Sequence, residues 1–274
     1  MTQTRIRAVA VAVAALLLGG GTALSSSAAA ADPTPAPVTA QVPAEPAEPA
    51  ATPTATSSAP IIALTFDDGP SLTMTPRVLD LLRKHNVKAT FFMQGSHVSR
   101  YPSLAREVAR QGHVVGNHSY THPDFSQLTP TQAGREITRT NQVIARATGS
   151  TPVLFRYPYG IESETGNAVI RRENMWGGVL WHWSTNDPGD FECPGAAGLT
   201  RYIVGNATDQ ALILLHDGNE TADCGTRQLA GLDAAITQLK AAGYQFGLVR
   251  PAWAPSPTNQ HSWVEVVPPG QEHW

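Results

Sequence analysis

The chain carries little charge, and its basic residues gather nowhere. Asp, Glu, Lys and Arg make up 15% of it, and 19 basic against 22 acidic side chains leave a formal net charge of −3. With no Lys/Arg cluster, a nucleic-acid partner has no electrostatic footprint, and a neutral polymer is the better match. A membrane-crossing run is missing as well. The apolar stretch 8–18 is Ala-rich and short of the roughly 20 residues a span needs, which argues against a retained anchor and against stable membrane insertion. Cysteine is down to two, Cys193 and Cys224. Neither lies near the amino-terminal leader, which excludes a lipid anchor on Cys, and two thiolates are too few for a zinc ribbon.

What is present begins with that leader. Arg5 and Arg7 precede the apolar stretch, and glycines and small residues follow it as far as Ala31. This is the pattern of a secretory signal, so residues 1–31 are expected to be removed near Ala30 or Ala31 and the protein to be secreted, in the medium or at the cell wall. Residues 32–60 are Pro, Ala and Thr with almost nothing large and apolar, and read as an extended linker. Residues 61–251 amount to one domain, expected to be monomeric. The tail, 252–274, carries Trp253, Trp263 and Trp274 and either packs on the domain or stays loose. In an exported chain an even cysteine count suggests a Cys193–Cys224 bridge, worth about 3–4 kcal/mol for a loop of about 30 residues; two buried thiols are the alternative.

Within the domain, short apolar runs alternate with helical stripes. Strands are predicted at 61–66, 89–93, 113–116, 153–155, 176–183, 211–215 and 244–248. Helices are predicted at 76–85, 103–111, 130–147, 167–172 and 226–242, the third opened by Thr129 as cap and Pro130 at its first position. Such alternation implies an α/β fold with about seven parallel strands and the helices outside. A (β/α) barrel is favoured over an open sheet because each strand run is apolar throughout. Either layout puts working residues at the carboxyl ends of the strands, where Asp67-Asp68, His118, Arg156 and His216 fall.

Asp67 and Asp68 are consecutive, so on extended backbone they point to opposite sides, one free to bind a metal and the other to face a substrate. An Asx-turn before Gly69-Pro70 is the simpler reading. His118 and His122 are four apart; two imidazoles and one carboxylate supply the three protein ligands of a catalytic zinc site. They also read as ordinary loop histidines, as His85, His97 and His113 do. Arg156 can orient a carboxylate through its planar fork, or form a surface ion pair. A backbone N–H in the Pro158-Tyr159-Gly160 turn can polarise an oxyanion. His216, at the mouth of a buried strand, is a candidate general acid or a core histidine bonded to a carbonyl.

Taken in order, Thr65-Phe66-Asp67-Asp68-Gly69-Pro70, His118-Ser119-Tyr120-Thr121-His122, Arg156-Tyr157-Pro158-Tyr159-Gly160 and Leu214-Leu215-His216-Asp217 resemble the polysaccharide deacetylase family, the NodB-homology domain of carbohydrate esterase family 4. The resemblance runs from about Ile61 to Leu248. It implies a distorted (β/α) barrel in which Asp68, His118 and His122 hold Zn2+ or another divalent metal such as Co2+. It implies Asp67 as the general base, paired with Arg156, and His216 as the acid that protonates the leaving amine. The Tyr159 amide would stabilise the oxyanion, and Leu214 would line the pocket for the acetyl methyl. The family's Asp-x-x-Asp-Trp pattern is not reproduced: between Trp181 and Phe191 both Asp187 and Asp190 compete for the role of tuning His216, with Asp190 preferred. Trp183 is the candidate for the aromatic wall. The implied activity is a secreted, metal-dependent deacetylase acting on N-acetylglucosamine units of a peptidoglycan or chitin-type polymer. An O-deacetylase such as an acetylxylan esterase is the alternative. A non-catalytic sugar-binding barrel is disfavoured because no ligand is missing.

Overall fold

The computed structural model describes residues 59–218, 224, 226–252 and 263–272. The expected signal segment, nearly all of the linker, and Trp253 and Trp274 lie outside the described residues. β1 (Ile61–Asp67) sets the frame because all seven of its residues are buried. A strand buried on both faces and paired on both edges is expected to be mostly apolar, and only Thr65 and Asp67 in β1 depart from that. On its two sides run β2 (Thr90–Met93) and β4 (Leu212–His216), β3 (Val114–Asn117) lies beyond β2, and all four are parallel. β5 (Gln245–Phe246) pairs with the start of β1, also in parallel. Alternation along β1 sorts its side chains. Ile62, Leu64 and Phe66 join the large apolar cluster beneath the helices, while Ile61 and Ala63 join a second cluster with Phe92, Leu154, Val179 and Val249. Thr65 and Asp67, in phase with the second set, therefore point inward.

The helices that cover the outer face are α1 (Thr75–Lys84), α2 (Gly95–Arg100), α3 (Pro102–Arg110), α4 (Pro130–Thr148), α5 (Glu164–Arg172), α6 (Gly195–Gly205) and α7 (Leu229–Ala241). The longest, α4, has both ends written locally. Thr129 and Gln132 form a reciprocal capping box, Pro130 occupies the first turn, and Gly149 ends the helix at φ 86°. Its buried stripe includes Ala133, Ile137, Thr140, Asn141 and Ile144, the spacing of one helix face.

Beyond β3 the ladders give way to single bridges. Asn117 pairs with Phe155 and Leu154 with Trp176, both parallel, and the His182 N–H donates to Leu212 O at 2.8 Å, back on β4. The fold is a mostly parallel α/β sheet, and among the described residues the expected runs at 153–155 and 176–183 are not full strands. Pro152 and Pro158 bracket the first and lack donors; Gly177 and Gly178 interrupt the second, with Gly178 at φ 66°. The tail contributes structure of its own. β7 (Val264–Val267) pairs antiparallel with β6 (Leu248–Pro251), and Val264 and Val266 pack with Ile61 and Ala63, at the end of β1 away from its carboxyl rim.

Candidate active site

At that carboxyl rim β1 stops at Asp67, directly opposite His216 of β4. The chain then turns sharply, because Asp68 adopts φ 69°. An L-residue there costs on the order of 1–3 kcal/mol and needs support from its surroundings. His97 Nδ1 meets Asp68 O at 2.6 Å and the Gln94 N–H donates to Gly69 O at 2.9 Å. Two glycines make room. A Cβ on Gly218 would lie 2.5 Å from Asp68 Cβ, and one on Gly69 would lie 2.3 Å from the Asp217 carboxylate. The turn changes what extended backbone predicts. The two carboxylates do not diverge: both line one cavity of about 630 Å³. His118 Nε2 stands 3.7 Å from Asp67 Oδ2 and 3.4 Å from Asp68 Oδ1.

His118 follows β3 and is buried. Its Nδ1 faces the Arg156 carbonyl at 2.9 Å, so that nitrogen carries the proton and Nε2 presents its lone pair. Burial, opposed by the pull of Asp67, drives its pKa down to about 4, so it is neutral at physiological pH. His122 arrives by a loop, not a helical turn, with Ser119 at φ 64° and His122 at φ 60°. Asn117 Oδ1 accepts from the Ser119 N–H at 2.8 Å, and Ser119 Oγ from the His122 N–H at 3.1 Å. This brings His122 Nε2 to 3.4 Å from Asp68 Oδ1. Asp68, His118 and His122 each offer one ligand atom, and these atoms lie within 4.8 Å of one another. Two imidazoles and a carboxylate, with one lone pair fixed by an outer hydrogen bond, fit zinc or a similar divalent ion and leave a coordination position open.

Arg156 is no surface residue. Its side chain is fully buried, and Nη1 donates at 2.8 Å to both Asp67 Oδ1 and Thr65 Oγ1, the two inward residues of β1. Nε donates to Val179 O at 2.8 Å, and the guanidinium lies 4.2 Å over the Phe92 ring. One oxygen of Asp67 is thereby pinned while the other faces His118.

At the end of β4, Asp190 holds His216 at two points. Oδ1 lies 2.8 Å from Nδ1, and Oδ2 accepts from the His216 backbone N–H at 2.7 Å. Burial alone lowers the imidazole pKa. The Asp190 carboxylate, its hydrogen bond, and the charges of Asp67 and Asp68 outweigh that and raise it to about 9. Asp187 is engaged elsewhere, 3.1 Å from Arg201 on the surface, so of the two competing aspartates Asp190 is the one beside His216. The short turn carrying it, Asp190–Glu192, is tied down by the Cys193–Cys224 disulfide and by Gln228 Nε2 donating to Asp190 O at 3.0 Å.

Leu214, two residues before His216 and on the same strand face, lines the cavity, as does Tyr159, whose backbone turns at φ 60°. Trp183 does not. Its indole N–H is turned to Thr185 O at 2.8 Å, and its ring packs on Tyr202 and against Phe191. Trp181 and Phe191 stand in the wall instead. Gln94, His97, Thr121 and Tyr157 also line the cavity. His97 offers no local signal, since the carbonyl that fixes it is 29 positions away.

Three comparisons bear on this arrangement. A family model described as polysaccharide deacetylase matches residues 54–175. Among curated proteins, a peptidoglycan-N-acetylglucosamine deacetylase of Listeria monocytogenes is 38% identical over 190 residues, covering 68% of this chain but only 37% of the relative's own length. A chitooligosaccharide deacetylase of Rhizobium leguminosarum bv. trifolii is 39% identical over 182 residues, 66% of this chain and 82% of that protein. Among solved structures, a family 4 carbohydrate esterase from Streptomyces lividans in complex with acetate superposes with a TM-score of 0.63 at 32% identity, covering 76% of this chain and 98% of its own.

Proposed function

The chain belongs to the polysaccharide deacetylase family, and from that premise we propose that it removes acetyl groups from N-acetylglucosamine units of a peptidoglycan or chitin-type polymer. The observation that carries this reading is the gathering of two groups in one cavity with the Asp68, His118 and His122 cluster: a carboxylate held by Arg156, and an imidazole whose pKa is raised to about 9. An amide needs both, a base for the attacking water and a proton for an amine that leaves poorly without one.

A divalent ion held by Asp68, His118 and His122 would supply Lewis-acid polarisation and a lowered water pKa. The free oxygen of Asp67 takes the proton from the attacking water, while Arg156 keeps the carboxylate aligned. As the carbonyl carbon becomes tetrahedral, the Tyr159 N–H faces the developing oxyanion. His216, cationic at neutral pH, gives its Nε2 proton to the amide nitrogen. The C–N bond then breaks to leave acetate and the free amine. Leu214 receives the acetyl methyl, and Trp181 and Phe191 border the sugar. Ester hydrolysis would recruit the same groups, but an alcohol leaves more readily than an amine and has less use for so strongly held a proton.

The disulfide supports an oxidising compartment, and with the leader pattern it favours export of the domain into the medium or to the cell wall. The test is acetate release, read by mass spectrometry, from chitooligosaccharides, peptidoglycan fragments and acetylated xylan. Each is assayed with zinc or cobalt and after chelation. Release from the first two, abolished by the chelator, is expected. Release from xylan alone, or undiminished release without metal, overturns the reading.

A further inference from the structure

We infer that Glu136 is a positioning residue: its carboxylate, on α4 and outside the cavity wall, holds the loop that brings His122 to Asp68 and His118. The inference rests on the reading that these three residues bind a divalent metal.

Between the two histidines lie Ser119, Tyr120 and Thr121, none of them in a helix or strand. Glu136 Oε2 accepts from the backbone N–H groups of both Tyr120 and Thr121 at 2.8 Å. Its Oε1 accepts from Thr121 Oγ1 at 2.9 Å. The loop's carbonyls are taken from the opposite side by the first turn of α2. The Gly95 N–H donates to Ser119 O at 2.9 Å and the Ser96 N–H to Tyr120 O at 3.0 Å. Arg139, also on α4, lies 3.7 Å over the Tyr120 ring. The segment is thus gripped by one helix through its amides and by another through its carbonyls.

The grip has something to resist. Ser119 and His122 both sit at positive φ, which bulky L-residues seldom adopt unless the surroundings enforce it. His118 is set by β3 and by the Arg156 carbonyl, so its place does not depend on the loop. His122 has no strand beneath it. Consecutive N–H groups converging on one carboxylate form a strong, charge-assisted contact, and Glu136 reaches the amides of both Tyr120 and Thr121, the two residues that lead into His122. Thr121 itself lines the cavity, so the same contact orients its hydroxyl beside the site. α4, with its capping box and buried stripe, is a rigid mount for such a clamp.

The experiment is a zinc titration of the metal-free full chain against a chromophoric chelator, for wild type, Glu136→Ala, Glu136→Gln and His122→Ala. The absorption spectrum of the cobalt-loaded protein is the second readout. Losing a group that orients a metal ligand typically weakens the metal by about 10- to 100-fold; Glu136 acts through the backbone before His122, so a loss toward the lower end of that range is expected for Glu136→Ala, with the Tm of the metal-free protein nearly unchanged. Glu136→Gln keeps an oxygen for the two amides and should recover most of the affinity and the wild-type cobalt spectrum. Wild-type affinity in Glu136→Ala, beside lost affinity in His122→Ala, overturns the positioning role alone. Wild-type affinity in His122→Ala as well overturns the metal reading and the positioning role with it. Should Glu136→Ala not fold, Glu136→Asp, which keeps the charge but withdraws it by one methylene, is read in the same titration, and unchanged affinity there again overturns the role.

Discussion

In one part of the fold, the ladder side, Asp67 and His216 end strands paired over five positions, and His118 follows a strand paired over four; in the other, the irregular side, Arg156, Tyr159 and Asp190 stand on segments joined by single bridges or by none. The two sides keep their geometry by different means. Along the ladders, register does the work: once Ala63 faces Leu212, Asp67 must face His216. On the irregular side Arg156 and Asp190 are fixed by their own side-chain bonds. Arg156 donates to Thr65, Asp67, Val179 and Leu180, and Asp190 receives from His216 and Gln228 within a turn closed by a disulfide. A substitution on the ladder side should therefore cost chemistry with little loss of fold, whereas one that strips the side-chain bonds of the irregular side should cost both.

Arg156→Ala breaks the irregular side hardest. It removes a fully buried cation, leaves Asp67 buried without its partner and frees two carbonyls. Loss of about 3–5 kcal/mol of stability is expected, together with loss of turnover. Denaturant unfolding alongside an acetate assay checks both, and a variant of wild-type stability would erase the distinction between the two sides. Asp67→Asn is the counterpart on a ladder. The amide still accepts from Arg156, so the fold and metal affinity should hold while turnover falls by about 10²–10⁴-fold for want of a base. Comparable turnover in this variant, measured at saturating zinc, contradicts the base assignment.

The same division explains what was legible in the chain. β1 and β4 announce themselves as apolar runs with Asp67-Asp68 and His216 at their ends, and α4 carries its cap, first proline and terminal glycine in sequence. The family resemblance of the motifs implies Asp68, His118 and His122 as a ligand set, and these three come together in the fold. Elements held by tertiary contact leave no such trace. α2 is six residues opened by a glycine, with Val98 its one large buried side chain. α6 begins and ends in glycine and takes its support from α7, through Thr200 Oγ1 donating to Gly231 O at 3.0 Å. Trp183 turns away from the cavity because alternation fixes a residue's face only on a regular strand, and Gly177-Gly178 breaks that strand just upstream. Glu136 and His97 act on loops far away along the chain, a relation no local pattern encodes.

Asp190→Asn makes the smallest and most discriminating change. It keeps the shape of the turn and an oxygen for the His216 N–H but removes the charge that most raises the imidazole pKa. With burial now opposed only by Asp67 and Asp68, His216 should titrate below about 9. The alkaline limb of the pH–rate profile should move toward acid by about 1–3 units, the usual effect of one neighbouring charge. Turnover should fall on that limb, and the deficit should widen as pH rises. Stability follows the same sign. A histidine whose folded pKa lies above its unfolded value stabilises fully below about 6.5 and loses that contribution as pH climbs through 9, so wild type should weaken across this window and the variant should weaken less. An alkaline limb that stays in place would show that the proton for the leaving amine comes from another group, and that the irregular side shapes the cavity without taking part in the chemistry.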